Sequence, residues 1–313
     1  MNTPKKQATT LFPEGALPVA LCDQLNAEAV IIDLAAAAPT SDDAVLWRWA
    51  PCAENGFQAT GFRNRIDDCK LKYSEKLKKH VVCVTSSAGF MGIAEYPSGQ
   101  KIWEDFAFRY GPHSIDYLPS GNVIVALSGN GHEGMEELRI YACDENGVPT
   151  KDYFKAPFAS AHGVVWDNER KLLWALGQSV LTAFTVEGTP QSPTLRRLED
   201  KDCEIHLPGH DLTVSPSDSN RLYFTSNSVY MFDKTANAPK ESFDGDEILH
   251  AGAVKSLSEH SDGSILRTVA ANVFAPHNTN LLDVFRKDST GAWSKTSYLF
   301  ENRAFYKARP VIV

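Results

Sequence analysis

Three histidines, His113, His162 and His210, stand 49 and then 48 residues apart, each at the head of a similar phrase. The phrases are PHSIDYLPSGNVIVALSG, AHGVVWDNERKLLWALG and GHDLTVSPSDSNRLYFTSN. A fourth copy, IDDCKLKY followed by HVVCVTSS, puts Asp67 in the histidine's place 46 residues before His113. Neutral imidazole and carboxylate are ligands that suit Zn²⁺, Mn²⁺ or Fe²⁺, with Ca²⁺ a further candidate. Three or four of them leave coordination positions open, where a metal can polarise a carboxylate or carbonyl or lower the pKa of bound water. The expected cofactor is therefore a divalent metal on His113, His162, His210 and Asp67. A lone histidine at a strand start is ordinarily a structural residue closing a turn. Convergence of three on one axis is what a site requires.

The elements that must bring them together follow from the repeat length. A period near 48 residues, with two strands either side of a turn, is that of a β-propeller blade. Strand signals dominate the chain: short β-branched and aromatic runs bounded by Gly, Pro, Asn, Asp and Ser. Blade one holds LPVALCDQ, AEAVIIDLA and AVLWRWA. Blade two runs from about Phe62 to Phe108, blade three from His113 to about Phe158, and blade four from His162 to about Leu207. Blade five runs from His210 to about Phe243, and blade six from near Ala253 to near Phe300. Blade one lacks an innermost strand, and the apolar, β-branched ARPVIV at the C-terminus is expected to return as that strand. The expected fold is all-β: an N-terminal arm over 1–15 and a six-bladed propeller over 16–313. Seven blades is the alternative, since Pro51 to Arg65 is not placed.

After each ring residue, apolar side chains follow at plus two and plus four: Cys69 and Leu71, Ile115 and Tyr117, Val164 and Trp166, Leu212 and Val214. That is the period of a strand. The ring residue must then sit at the strand's mouth, bent toward the axis. Beyond the four recurring positions, the ring's nearest polar candidates are Lys255 and, if the C-terminal strand belongs to blade one, Arg309. An outer shell is expected from the loops that return to the same face: Ser86 and Ser87, Asn130, His132 and Glu133, Gln178, Asn227 and His277. Arg63, Asn64 and Arg65 should overhang the same mouth.

Composition narrows the classes of function. The formal charge is −8 at pH 7, which argues against a phosphate-binding surface and against nucleic acid as a partner. No apolar run is long enough to span a bilayer, so no membrane partner is expected. The N-terminus has lysines but no apolar stretch after them, so a cytoplasmic location is expected, or secretion if this is not the natural start. The six cysteines form no C-x-x-C pair and are expected to be free thiols. There is no Gly-rich phosphate loop, no G-x-S-x-G elbow and no H-E-x-x-H.

The phrases HS-x3-LP-x-GN, HGVVWD and GHDL resemble those of a largely uncharacterised propeller family of bacteria and fungi, over most of the chain. More loosely, the central histidines resemble those of the propeller polysaccharide lyases, the oligogalacturonate and ulvan lyases among them. In the oligogalacturonate group a histidine-bound Mn²⁺ grips the uronate. This chain lacks that group's H-x-H pair, so its ligands are not carried over.

The resemblance implies a lyase acting on a uronic-acid glycan or oligosaccharide by metal-assisted β-elimination. The metal, helped by Arg63, Arg65 or Arg309, would neutralise the carboxylate, and His132, His277 or Lys255 would remove the C5 proton. Asn130, Gln178 and Asn227 would hold the sugar. Two alternatives use the same ring. One is a metal-dependent hydrolase, lactonase or sugar isomerase, with Glu133 or Asp67 taking the proton. The other is a non-catalytic propeller that binds a glycan or a protein.

Overall fold

Two of the chain's apolar, β-branched runs become second strands of blades, where both faces are covered. VIVALS at Val123–Ser128 is buried along its whole length. KHVVCVTS at Lys79–Ser86 shows how the period of two divides such a strand between neighbours: Val82 and Val84 pack toward the preceding blade, Val81 and Cys83 toward the following one. The computed structural model describes residues 11–240 and 249–312. Six four-stranded antiparallel sheets make a six-bladed propeller. Six apolar clusters fill the seams between adjacent blades, the last joining blade six to blade one.

Blades two to six each run in chain order from axis to rim. Their innermost strands are Ile66–Ser74, Pro112–Tyr117, Gly163–Asp167, Asp211–Val214 and Val254–Glu259. Blade one takes Pro18–Asp23, Glu28–Asp33 and Val45–Trp49 from the start of the chain and its innermost strand from the end. That strand is Phe305–Pro310, paired antiparallel with Pro18–Asp23. This pairing removes the open sheet edge that an unclosed ring would leave.

The closing strand thus begins three residues before the expected ARPVIV, and Val311 and Ile312 lie beyond it. The shift matters, because it changes which residue of blade one reaches the axis. Pro51 to Arg65 builds no seventh blade. It links blades one and two, and its Phe57 and Phe62 pack into the seam between them. The expected end of blade five at Phe243 lies outside the described residues. All six cysteines are free. Among the described residues no helix is long and apolar enough to cross a membrane.

Candidate functional site

One residue from the axial end of each innermost strand meets at one mouth of the propeller: Asp67, His113, His162, His210, Lys255 and Tyr306, in blade order, all lining a cavity of about 540 Å³. The backbone device that turns them inward takes two forms. In blades two, three and six the strand pairing skips between Ile66 and Asp68, Pro112 and Ser114, and Val254 and Ser256. Asp67, His113 and Lys255 are the residues skipped. In blades four and five the amides of His162 and His210 donate to the carbonyls of Leu176 and Thr225, which already pair with Gly163 and Asp211. In blade one the pairing jumps from Ala308 to Phe305, leaving Tyr306 and Lys307 unpaired. In blades one, two, three and six this is a β-bulge, which breaks the alternation of the strand and re-aims one side chain; in blades four and five the histidine precedes the strand and shares a carbonyl with its first residue. The ring residue can therefore face the axis while Cys69, Ile115, Val164 and Leu212, two positions on, stay in the seams. Val214 departs from that pattern and is part-exposed.

The imidazoles are close. Ring centroids lie 4.5 Å apart for His113 and His162 and 5.8 Å apart for His162 and His210. Nδ1 of His113 donates to the Gly111 carbonyl at 2.8 Å, with Ser128 Oγ at 2.9 Å. Nδ1 of His162 donates to the Ser160 carbonyl, also at 2.8 Å. A carbonyl only accepts, so in both rings Nδ1 carries the proton and Nε2 the lone pair. Both carbonyls belong to the residue two before the histidine, and both residues are left-handed, Gly111 at φ 60° and Ser160 at φ 46°. His210 differs. The residue two before it is Pro208, whose ring forbids a positive φ. Its Nδ1 is buried without a partner among the described residues, and its Nε2 lies 3.0 Å from Nζ of Lys255.

Burial dominates the electrostatics. It pushes His113 down to about 3, His210 down to about 2, and His162 well below the usual imidazole range, with the positive charge of Lys307 adding to each. The three rings are neutral at physiological pH. Burial also raises Asp67 to about 7, against the opposing pull of hydrogen bonds from Ser87 and the charges of Lys307 and Arg65. It lowers Lys255 to about 8. Tyr306 is raised well above the phenol range by burial and by the nearby carboxylates, Asp67 first.

Beneath the ring lies an ionic floor. Arg309 bonds Asp68 through Nε at 3.0 Å and Asp211 through Nη1 at 2.7 Å. Lys70 lies 3.3 Å from Asp68, and Lys307 lies 3.4 Å from Asp211. Burial works to raise Asp68, but Arg309, Lys70 and Lys307 hold it well below the usual carboxylate range. Three cations against two carboxylates leave the floor positive. A separate cavity of about 400 Å³, lined by Lys70 and Arg309 among others, shares no lining residue with the ring cavity.

Of the residues singled out from the sequence, Asp67, His113, His162, His210, Lys255, Arg65, Asn64, Ser87, Asn130 and His277 line the ring cavity. Others are placed elsewhere. Arg309 is not in the ring; it is buried in the floor, because the closing strand starts earlier than expected and Tyr306 takes the ring position. His132 and Glu133 are exposed past the rim. The left-handed turn at Asn130 and Gly131 brings Asn130 over the mouth, Nδ2 on the Ser87 carbonyl at 2.9 Å, and His132 falls beyond it. Gln178 and Arg63 are exposed and do not line the cavity. Asn227 lines an adjoining cavity of about 620 Å³ and caps the Ala253 amide at 3.1 Å.

Tyr306, Gln24, Ser128 and Ser160 also line the cavity, with Gly131, Ala275 and Pro276, and were not singled out from the sequence. Ser160 carried a usable signal, since it stands two residues before His162. The rest are set by strand register and loop geometry.

The donor set does not fit the expected metal. Among the described residues no group of three or more His, Cys, Asp or Glu side chains is disposed to hold one. The His210 nitrogen that faces Lys255 is engaged by that amine. The arrangement does fit proton transfer. It combines a carboxyl and an amine that titrate near neutrality, imidazoles of fixed tautomer, and a positive floor.

A model of a protein family described as a family of unknown function (DUF6528) matches residues 5–308. No curated protein matches the sequence. Among solved structures, similarity extends to a Bacteroides uniformis ATCC 8492 protein provisionally assigned as a 6-phosphogluconolactonase. It has 11% identity and a TM-score of 0.59, over 95% of this chain and 100% of that one. A functionally unknown protein from Desulfotomaculum acetoxidans DSM 771 has 12% identity and a TM-score of 0.51, over 94% of this chain and 80% of that one. Kuenenia stuttgartiensis hydrazine synthase has 9% identity and a TM-score of 0.47; the match covers 72% of this chain and only 64% of that one. At these identities the likeness is one of fold.

Proposed function

We propose that this chain, which belongs to the DUF6528 family of unknown function, binds an anionic sugar at the propeller mouth and cleaves it by β-elimination. The observation that carries this reading is the placement of Asp67 and Lys255 either side of Tyr306 in one buried ring, the carboxyl raised to about 7 and the amine lowered to about 8. Buried acid–base pairs tuned toward neutrality are what proton transfer at a carbon acid needs.

Each step has a residue to perform it. Arg65 and the positive floor attract the uronate carboxylate, although the whole protein is acidic. Arg65 holds the carboxylate in place, and the field of the floor stabilises the charge that builds on it as C5 loses its proton. Lys255, as the free amine, takes that proton, and the electron pair forms the C4–C5 double bond as the C4–O bond breaks. Protonated Asp67 donates to the departing oxygen, with the Tyr306 hydroxyl as a further donor. His113 and His162 present fixed lone pairs that accept from sugar hydroxyls. These roles use only residues of the chain.

A second reading is lactone hydrolysis, with Asp67 as the base for water. It is favoured by the proximity of Asp67 Oδ1 to His113 Nε2, 3.8 Å apart, a gap that a bridging group could span. The test is a panel of uronate oligosaccharides and sugar lactones. Elimination yields an unsaturated uronate that absorbs in the ultraviolet; hydrolysis yields acid without that absorbance. Binding with neither product would assign the mouth to ligand capture alone.

A further inference from the structure

Among the described residues four lysines are less than a tenth exposed: Lys70, Lys234, Lys255 and Lys307. Three of them face a carboxylate: Lys70 on Asp68 at 3.3 Å, Lys234 on Asp167 at 2.6 Å and Lys307 on Asp211 at 3.4 Å. Lys72, part-exposed, pairs with Asp116 at 2.9 Å. Among the described residues Lys255 has no carboxylate within ion-pair distance; its Nζ meets only Nε2 of His210, at 3.0 Å. A buried ammonium without a counter-charge is costly, and the usual outcome is loss of the proton.

The hydrogen-bond pattern agrees. If Lys255 were an ammonium it would donate to Nε2, and the proton of His210 would sit on Nδ1. That nitrogen is buried with no partner among the described residues, so an N–H would be stranded. If Lys255 is the free amine, the proton sits on Nε2 and is donated to Nζ, and Nδ1 is only a bare lone pair. Orphaned buried N–H groups are the rarer case. Lys255 also lies where the ring cavity and the adjoining cavity meet, lining both.

We infer that Lys255 is a nucleophilic amine able to form an imine with a carbonyl compound that carries an anionic group, such as a 2-oxo acid or a sugar acid in its open form. This goes beyond proton abstraction and does not depend on it. The amine nitrogen attacks the carbonyl carbon and forms a C–N bond. The carbonyl oxygen leaves as water with the two amine hydrogens, giving a neutral imine. Nothing is oxidised or reduced, and no co-reactant is required.

Glyoxylate followed by sodium borohydride tests this, because borohydride fixes an imine as a stable secondary amine. The expected result is a single adduct per chain that maps to Lys255, at glyoxylate concentrations that leave the exposed Lys78 and Lys151 unmodified. Lys255→Arg should remove the adduct. The peptide map of the unaltered protein carries the test if that variant does not fold. No adduct, or adducts spread over exposed lysines with Lys255 unmodified, overturns the inference. Trapping is scored without turnover, so loss of elimination and loss of imine formation are separate results.

Discussion

Arg309 spans the channel axis, its Nε on Asp68 and its Nη1 on Asp211, residues 241 and 98 positions away in the chain. One guanidinium thus ties together the innermost strands of blades one, two and five. Such a pair is weak evidence of net stabilisation, but removing one partner leaves buried charge uncompensated. Arg309→Met should lower stability by about 3–5 kcal/mol, measured by urea unfolding. A loss under about 1 kcal/mol would mean that Lys70 and Lys307 suffice for both carboxylates.

Acid stability should be set by the ring more than by the floor. His113, His162 and His210 have folded pKa values far below that of free imidazole. Between about pH 6.5 and the folded values, the unfolded chain binds three protons that the folded ring does not, so stability falls as pH falls through this window. Asp67, raised to about 7, acts in the opposite sense, since there the folded state holds a proton the unfolded state has lost. Taking these four groups alone, the net slope is two protons, or about 2.7 kcal/mol per pH unit between pH 4 and 6.5. Asp68, held low, adds a loss only below about pH 4. His162→Gln should reduce the slope by one proton, and urea midpoints across pH 4–8 would read it.

Elimination should have a bell-shaped pH profile with its maximum between 7 and 8. Asp67 must be protonated, so the rate falls above about 7, and Lys255 must be neutral, so it falls below about 8. Lys255→Met should lower kcat by about 10²–10⁴-fold. Asp67→Asn should lower kcat and remove the alkaline fall while leaving the acid limb. An unchanged alkaline limb in that variant would exclude Asp67 as the donor.

Arg65 lines the mouth and is assigned to hold the substrate's carboxylate before and during reaction. Uniform binding of this kind appears in KM. Arg65→Gln should raise KM for a uronate about tenfold or more with kcat nearly unchanged. A fall in kcat at constant KM would place Arg65 in the chemical step instead.

Chelation should leave activity intact, and elemental analysis should find no stoichiometric metal. A metal that co-purifies and is lost in His113→Ala and His162→Ala would overturn the acid–base reading and restore the ligand set expected from the repeat.

The recurrence of His113, His162 and His210 carried most of what could be read before the structure. A fixed interval in the chain becomes a fixed radius in a propeller, and Lys255 followed from the same spacing. The bulges were not legible, because an extra residue at the strand's mouth leaves the apolar positions at plus two and plus four in place. Tyr306 was hidden for a related reason. Its surroundings, NRAFYKARP, carry no trace of the repeated phrase, and choosing a charged residue for the ring pointed to Arg309, which the register sends to the floor. The loop residues His132 and Gln178 fell outside periodicity altogether. Their positions depend on local turns, such as the left-handed pair at Asn130 and Gly131, and those decide which neighbour looks inward.

The closing strand has a consequence for biosynthesis. Tyr306, Lys307 and Arg309 all lie on the segment that pairs with Pro18–Asp23, so a ribosome-bound chain whose later residues are still in the exit tunnel has neither a sealed ring nor a finished pocket. Any ligand that prefers the native mouth can engage only after that segment has left the tunnel and paired.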